Sequence, residues 1–168
     1  RVLNAFSYTG GFSVYAGLGG AVEVHSVDAS KSAVAIAAEN MKLNGLDDQH
    51  LVVCDVFEFL QSCDKYDLII LDPPAFAKNL QARHQAVMGY KRLNAAAIQK
   101  IRPGGMLFTF SCSQVVDKRL FQDTIIAAAI EAGRNIRVMH WLNQPADHPV
   151  NIFHPEGEYL KGLAVYVE

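Results

Sequence analysis

The chain lacks a long apolar run, lacks paired cysteines, and lacks any acidic residue over one extended stretch. Its apolar segments fall far short of the ~20 residues that a membrane-spanning helix needs, so no membrane partner is expected. Cys54, Cys63 and Cys112 are odd in number and show no paired spacing. That pattern fits a reducing cytoplasm better than a disulfide scaffold, and a cytoplasmic location is expected. Neither C-x-x-C nor H-x-x-x-H occurs, and the histidines are scattered, so no metal site is expected. A P-loop, a G-x-S-x-G elbow and a G-x-G-x-x-G fingerprint are all missing, which argues against nucleoside triphosphate, serine-hydrolase and dinucleotide chemistry.

Acidic residues are absent from Pro73 to Val116, while Lys78, Arg83, Lys91, Arg92, Lys100 and Arg102 fall inside that stretch. The whole chain carries −2, with 15 basic and 17 acidic residues, so the remainder carries 9 − 17 = −8. A basic stretch amid acidic surroundings can attract a polyanion, although a solvated helix face explains it equally well. With 168 residues, half of them apolar, the chain has enough material for one domain with a sizeable core.

Apolar runs alternate with helical periodicity along the chain. Strands are predicted at 1–6, 22–27, 51–54, 66–71, 106–111, 136–141 and 163–167. A turn is predicted over Ser7–Phe12, with a helix after it running to about Leu18; further helices are predicted from Ser30 to Leu43, from Val56 to Leu60, from Ala86 to Ile101 and from about Lys118 to Ala132. Ser30 is a candidate N-cap, Asn44-Gly45 and Gly133 are stops, and Pro103-Gly104-Gly105 ends the fourth helix. Strands alternating with helices imply an α/β three-layer sandwich with right-handed crossovers, seven strands in all.

Leu68-Ile69-Ile70-Leu71 reads as a buried parallel strand, and it ends at Asp72-Pro73-Pro74-Ala75-Phe76. Two prolines supply no backbone donors and lock φ, so the chain leaves the sheet as a stiff loop. Ligands of open α/β sheets bind outside the carboxyl ends of the strands, which puts Asp72 at the mouth of a cleft. The turn Phe6-Ser7-Tyr8-Thr9-Gly10-Gly11 resembles a nucleotide-binding loop whose glycines come too late to seat a pyrophosphate. Asp28 and Asp55 end the second and third strands. Each alone reads equally well as a helix cap. Three aspartates at three successive strand ends point instead to an adenosine ligand without phosphates, namely S-adenosylmethionine. Cys112, in Ser111-Cys112-Ser113, lies past the fifth strand between polar residues, where a thiol can serve as a nucleophile.

Taken together, Asn4-Ala5-Phe6-Ser7-Tyr8-Thr9-Gly10-Gly11, Val27-Asp28, Asp72-Pro73-Pro74-Ala75-Phe76, Gly89-Tyr90-Lys91, Phe110-Ser111-Cys112-Ser113, Asp147-His148-Pro149 and Pro155-Glu156-Gly157-Glu158-Tyr159-Leu160-Lys161-Gly162 resemble one family. It is the class I S-adenosylmethionine-dependent methyltransferases, and more narrowly the bacterial 23S rRNA cytosine-C5 methyltransferases. The resemblance covers essentially all of residues 1–168. It implies a Rossmann-like sheet of order 3-2-1-4-5-7-6 with strand 7 antiparallel. It also implies a PUA-type RNA-binding domain and a linker upstream, so that this catalytic piece would bind cofactor but methylate RNA poorly alone.

By position, the resemblance puts Phe6, Ser7, Tyr8, Thr9 and Gly10 along the cofactor, Asp28 with Ala29 at the ribose, and Asp55 with Val56 at the adenine. Asp72 faces both methyl donor and target base, and Cys112 attacks that base. Pro73, Phe76, Lys78, Tyr90, Lys91 and His148 are candidate RNA contacts, with Phe76 or Tyr90 supporting an unstacked base. The implied partner is 23S rRNA, a homodimer is an open expectation, and S-adenosylhomocysteine is the product. Other RNA cytosine-C5 methyltransferases carry a second cysteine in the strand-four loop, where this chain has Pro73-Pro74-Ala75. Two rivals remain at this point: a methyltransferase acting on a base nitrogen (guanine N7 or N2, adenine N6), and an inactive RNA-binding or cofactor-sensing module.

Overall fold

The computed structural model describes residues 1–46, 50–77 and 79–168. Its strands are β1 (Val2–Ala5), β2 (Val24–Asp28), β3 (Leu51–Val53), β4 (Tyr66–Leu71), β5 (Ile101–Ser111), β6 (Ile136–Asn143) and β7 (Lys161–Val167). They form one sheet in the order β3-β2-β1-β4-β5-β7-β6, parallel except that β7 runs antiparallel to β5 and β6. The helices are α1 (Gly11–Leu18), α2 (Lys31–Leu43), α3 (Val56–Ser62), α4 (Arg83–Gln99) and α5 (Lys118–Ala132). α1 packs on α2, and α3, α4 and α5 pack in series. No helix among the described residues is long and apolar enough to cross a membrane.

The two faces of the sheet differ in chemistry, as the period of two requires. On one side Leu3, Ile69, Leu71, Leu107 and Val165 pack with Tyr90, Leu93, Ile98, Phe121 and Ile125 from α4 and α5. On the other, Asn4 of β1 donates to Ser13 Oγ of α1 at 2.8 Å, and Ser13 Oγ lies 2.7 Å from Ser26 Oγ of β2. All three are buried. Small hydrogen-bonded side chains let α1 sit low on the sheet, which brings its amino end close to the β1 carboxyl end.

Local signals set most boundaries. Ser30 caps α2 by accepting from Ala33 N–H, Asp117 caps α5 by accepting from Leu120 N–H, and Gly133 ends α5 in the left-handed region at φ 66°. Several ends shift by two or three residues, and the largest departure from the expectation is at the start of β5. Ile101 belongs to β5 rather than to α4, because its backbone pairs with Tyr66. Pairing then skips Arg102-Pro103-Gly104-Gly105 and resumes at Met106 opposite Leu68, so the Pro-Gly-Gly signal marks a bulge inside the strand. Gly105 has no room for a side chain there, since a Cβ would lie 2.7 Å from the Asp67 carbonyl.

Candidate active site

A cavity of about 640 Å³ opens at the carboxyl ends of β1, β2, β4 and β5. Phe6, Tyr8, Asp28, Ala29, Asp55, Val56, Asp72, Pro73 and Cys112 all line it, which brings together most of the residues singled out from the sequence. Ser7 and Thr9 line an adjoining hollow that shares Phe6, Tyr8 and Asp72 with the main cavity.

The β1–α1 turn is strained. Phe6 and Tyr8 hold φ of 61° and 46°, a region that side chains with a Cβ rarely adopt, and Gly10 follows at 83°. At Gly10 a Cβ would approach Ala37 Cβ to 3.0 Å, so the turn presses against α2. Asp28 braces this conformation by accepting from Tyr8 N–H at 2.9 Å and Ser30 N–H at 2.8 Å, one on each oxygen. Its remaining lone pairs stay available to hydroxyl donors. Ser7 Oγ is buried with no hydrogen-bond partner among the described residues. An unpartnered buried hydroxyl, a left-handed glycine with no space for a side chain, and a carboxylate at the β2 end fit a nucleoside-bearing cofactor.

Asp55 serves a structural role at the same time. Its Oδ1 accepts from Phe57 and Glu58 N–H and caps α3. Asp72 differs from both other aspartates, for its carboxylate accepts no hydrogen bond from the described residues. The cleft walls desolvate it and raise its pKa above its ordinary value, with no cation among the described residues to oppose the shift. Cys112 is half-buried, and its Sγ lies 3.9 Å from the Pro73 carbonyl, in the same cavity as Asp72. The thiol and the carboxyl group therefore share one hollow.

The proposed RNA contacts fare unevenly. Tyr90 is fully buried, wedged between Phe76 at 4.5 Å and Phe121 at 5.7 Å between ring centroids. It cannot stack on a nucleobase; it supports Phe76 from below. Phe76 lies against Gly89 of α4, where a Cβ would come 3.0 Å from the ring, and it does not line the cavity. Lys91 pairs with Glu131 at 2.6 Å in a groove between α4 and α5, away from the cleft. Lys78 lies outside the described residues.

Among the described residues, the basic stretch does not form one face. Arg92 covers the Phe57 ring, Lys100 donates to the Cys63 carbonyl at 2.7 Å, and Arg102 pairs with Asp67. Lys100 and Arg102 sit at the amino ends of the strands, opposite the cleft. Clustering in sequence misled here because a helix and a strand crossing spread those charges around the molecule.

The same reading missed Tyr159 and Leu160, which line the cavity from the segment before β7. His148 meets that tyrosine, with Nε2 3.1 Å from its hydroxyl. The Glu-Tyr-Leu-Lys-Gly run quoted above was the available signal. Two histidines treated as scattered also come together: His25 and His50 lie 4.6 Å apart between ring centroids, beside Glu23. Both Glu23 oxygens are taken by the Arg1 guanidinium, at 2.6 and 2.8 Å, so a cation already occupies that carboxylate.

A family model described as S-adenosylmethionine-dependent methyltransferase matches residues 1–157. A protein of Aeromonas hydrophila named Ribosomal RNA large subunit methyltransferase I is 48% identical over 171 residues, covering 98% of this chain and 43% of the relative. Its namesake in Klebsiella pneumoniae is 48% identical over 173 residues, covering 99% and 43%. Among solved structures, SMU.776, a protein whose crystal structure is a complex with SAH, aligns with a TM-score of 0.84 at 28% identity. That alignment covers 98% of this chain and 44% of the other. The chain thus spans less than half the length of these relatives.

Proposed function

Since the chain belongs to the S-adenosylmethionine-dependent methyltransferase family, we propose that it is the catalytic domain of an enzyme that methylates a cytosine C5 in large-subunit ribosomal RNA. The observation that carries this reading is the Cys112 thiol facing the cavity that Asp72 also lines. The relatives' name, Ribosomal RNA large subunit methyltransferase I, supports the RNA, and a cytoplasmic site of action follows from that substrate.

S-adenosylmethionine, when bound, supplies an electrophilic methyl group on a sulfonium. Phe6 and Tyr8 would flank it, Asp28 would accept the ribose hydroxyls, and Val56 would pack on the adenine. Cytosine C5 is a poor nucleophile. Addition of a Cys112 thiolate to C6 makes the C5–C4 edge electron-rich, so that C5 can take up the methyl group. Asp72, whose raised pKa favours a proton, would donate to pyrimidine N3 and stabilise the negative charge that the addition pushes onto the ring. Transfer of the C5 proton to water, with N3 returning its proton to Asp72, then re-forms the C5–C6 double bond and expels Cys112 as thiolate, leaving the enzyme unchanged.

Methylation of a base nitrogen is the rival reading, and it needs no thiol. Cys112→Ala in the full-length protein, assayed with tritiated cofactor and unmodified ribosomal RNA, separates the two. The expected result is loss of methyl transfer with cofactor affinity within about twofold of the parent. Full activity in that variant moves the chemistry to nitrogen.

A further inference from the structure

Lys161 opens β7 directly opposite Ser111, the last residue of β5 before Cys112. Lys161 is only 6% exposed, unusual for a lysine at a strand end. Its Nζ donates to the Ser113 carbonyl at 2.7 Å and to the Tyr159 carbonyl at 2.8 Å. No carboxylate among the described residues pairs with it. A buried ammonium held by carbonyls alone is costly to keep, and burial lowers its pKa to about 8. The charges that bear on it are Cys112 and Asp117, which favour the ammonium, and Lys118, which opposes it and is itself paired with Glu158.

Both carbonyls belong to segments that shape the cavity. Ser113 follows Cys112, and Tyr159 lines the same cavity. We propose that Lys161 is the positioning residue for Cys112, clamping the loop after β5 to the segment before β7 so that Sγ faces the pyrimidine site. The proposal rests on the reading of Cys112 as the nucleophile. The residues that would hold the cofactor, Phe6, Tyr8, Asp28 and Val56, follow or end β1, β2 and β3 and lie outside the clamped segments, so loss of Lys161 acts on the chemical step and spares cofactor binding. A thiolate at Cys112 and the ammonium also attract one another, which the apolar isostere of Lys161 would forfeit.

The test compares Lys161→Met, Lys161→Arg and Cys112→Ala in the full-length protein, using unmodified ribosomal RNA and labelled cofactor. Displacing a nucleophile by about 1 Å costs on the order of 100-fold. Lys161→Met should lose about that much in kcat, with KM for S-adenosylmethionine within about twofold. Lys161→Arg, which keeps donors and charge, should recover at least a tenth of the lost rate. Iodoacetamide labelling of Cys112, followed by peptide mass spectrometry without RNA, should slow in Lys161→Met and not in Lys161→Arg. Should Lys161→Met fail to fold, Lys161→Gln goes through the same assays, and failure of both to fold overturns the proposal. Parental kcat in Lys161→Met overturns it, as does a parallel loss of cofactor affinity. An active Cys112→Ala sinks the underlying reading, whereas an inert Cys112→Ala beside an unimpaired Lys161→Met sinks the clamp alone.

Discussion

Burial of Lys161 without a carboxylate makes a prediction about stability that is independent of catalysis. The side chain titrates near 10.5 when solvated and near 8 in the fold, because burial penalises the charged form. Below pH 8 both folded and unfolded chains hold the proton, and the fold bears the whole desolvation cost. Between the two values the unfolded chain holds a proton that the folded chain has released. Stability therefore rises with pH across this window. The gap between 10.5 and about 8, at about 1.4 kcal/mol per pH unit, gives about 3 kcal/mol when complete and about 2 kcal/mol by pH 9.5. Lys161→Met has no such proton. Urea unfolding followed by far-UV circular dichroism at pH 7 and pH 9.5 should show the parent gaining about 2 kcal/mol relative to the variant. Cys63 and Tyr66, whose pKa values burial raises, work in the opposite direction, but both proteins share them and they cancel in the difference. Stability differences that stay parallel within about 0.5 kcal/mol across the two pH values would refute an unpaired, desolvated ammonium.

Other perturbations probe the cofactor side. Gly10→Ala puts a Cβ on a left-handed residue and 3.0 Å from Ala37, so about 1–2 kcal/mol of stability and at least tenfold in cofactor affinity should be lost, read by thermal melting and calorimetry. Asp28→Asn keeps one oxygen for the Tyr8 or Ser30 N–H but gives up the charge, and cofactor Kd should rise about tenfold or more; an unchanged Kd would remove Asp28 from the ribose site.

Legibility followed range. Ser30 and Gly133 act within one helical turn, so their sequence signatures marked the start of α2 and the end of α5 without knowledge of the rest. The sheet core was equally readable, because an apolar run such as Leu68–Leu71 has few alternatives to burial. Three aspartates at strand ends were visible as a set, since a parallel sheet aligns those ends by construction. Asp55 shows the limit of that reading: its Oδ1 caps α3 whatever else its carboxylate does.

What the chain alone determined was the alternation of elements, their order in the sheet through a family resemblance, and the carboxylates and thiol at its carboxyl edge. What only the tertiary structure decided was which side chains turn toward the cleft. Tyr90 went under Phe76 instead of beneath a nucleobase, Lys91 turned to Glu131, and Lys161 was drawn inward beside Cys112. The physical reason is that a strand or helix assigns a residue to a face by its own period, whereas the neighbour waiting on that face comes from a distant part of the chain. The Ser113 carbonyl, 48 residues from Lys161 in sequence, is such a neighbour, and it holds an ordinarily surface-seeking lysine inside the fold.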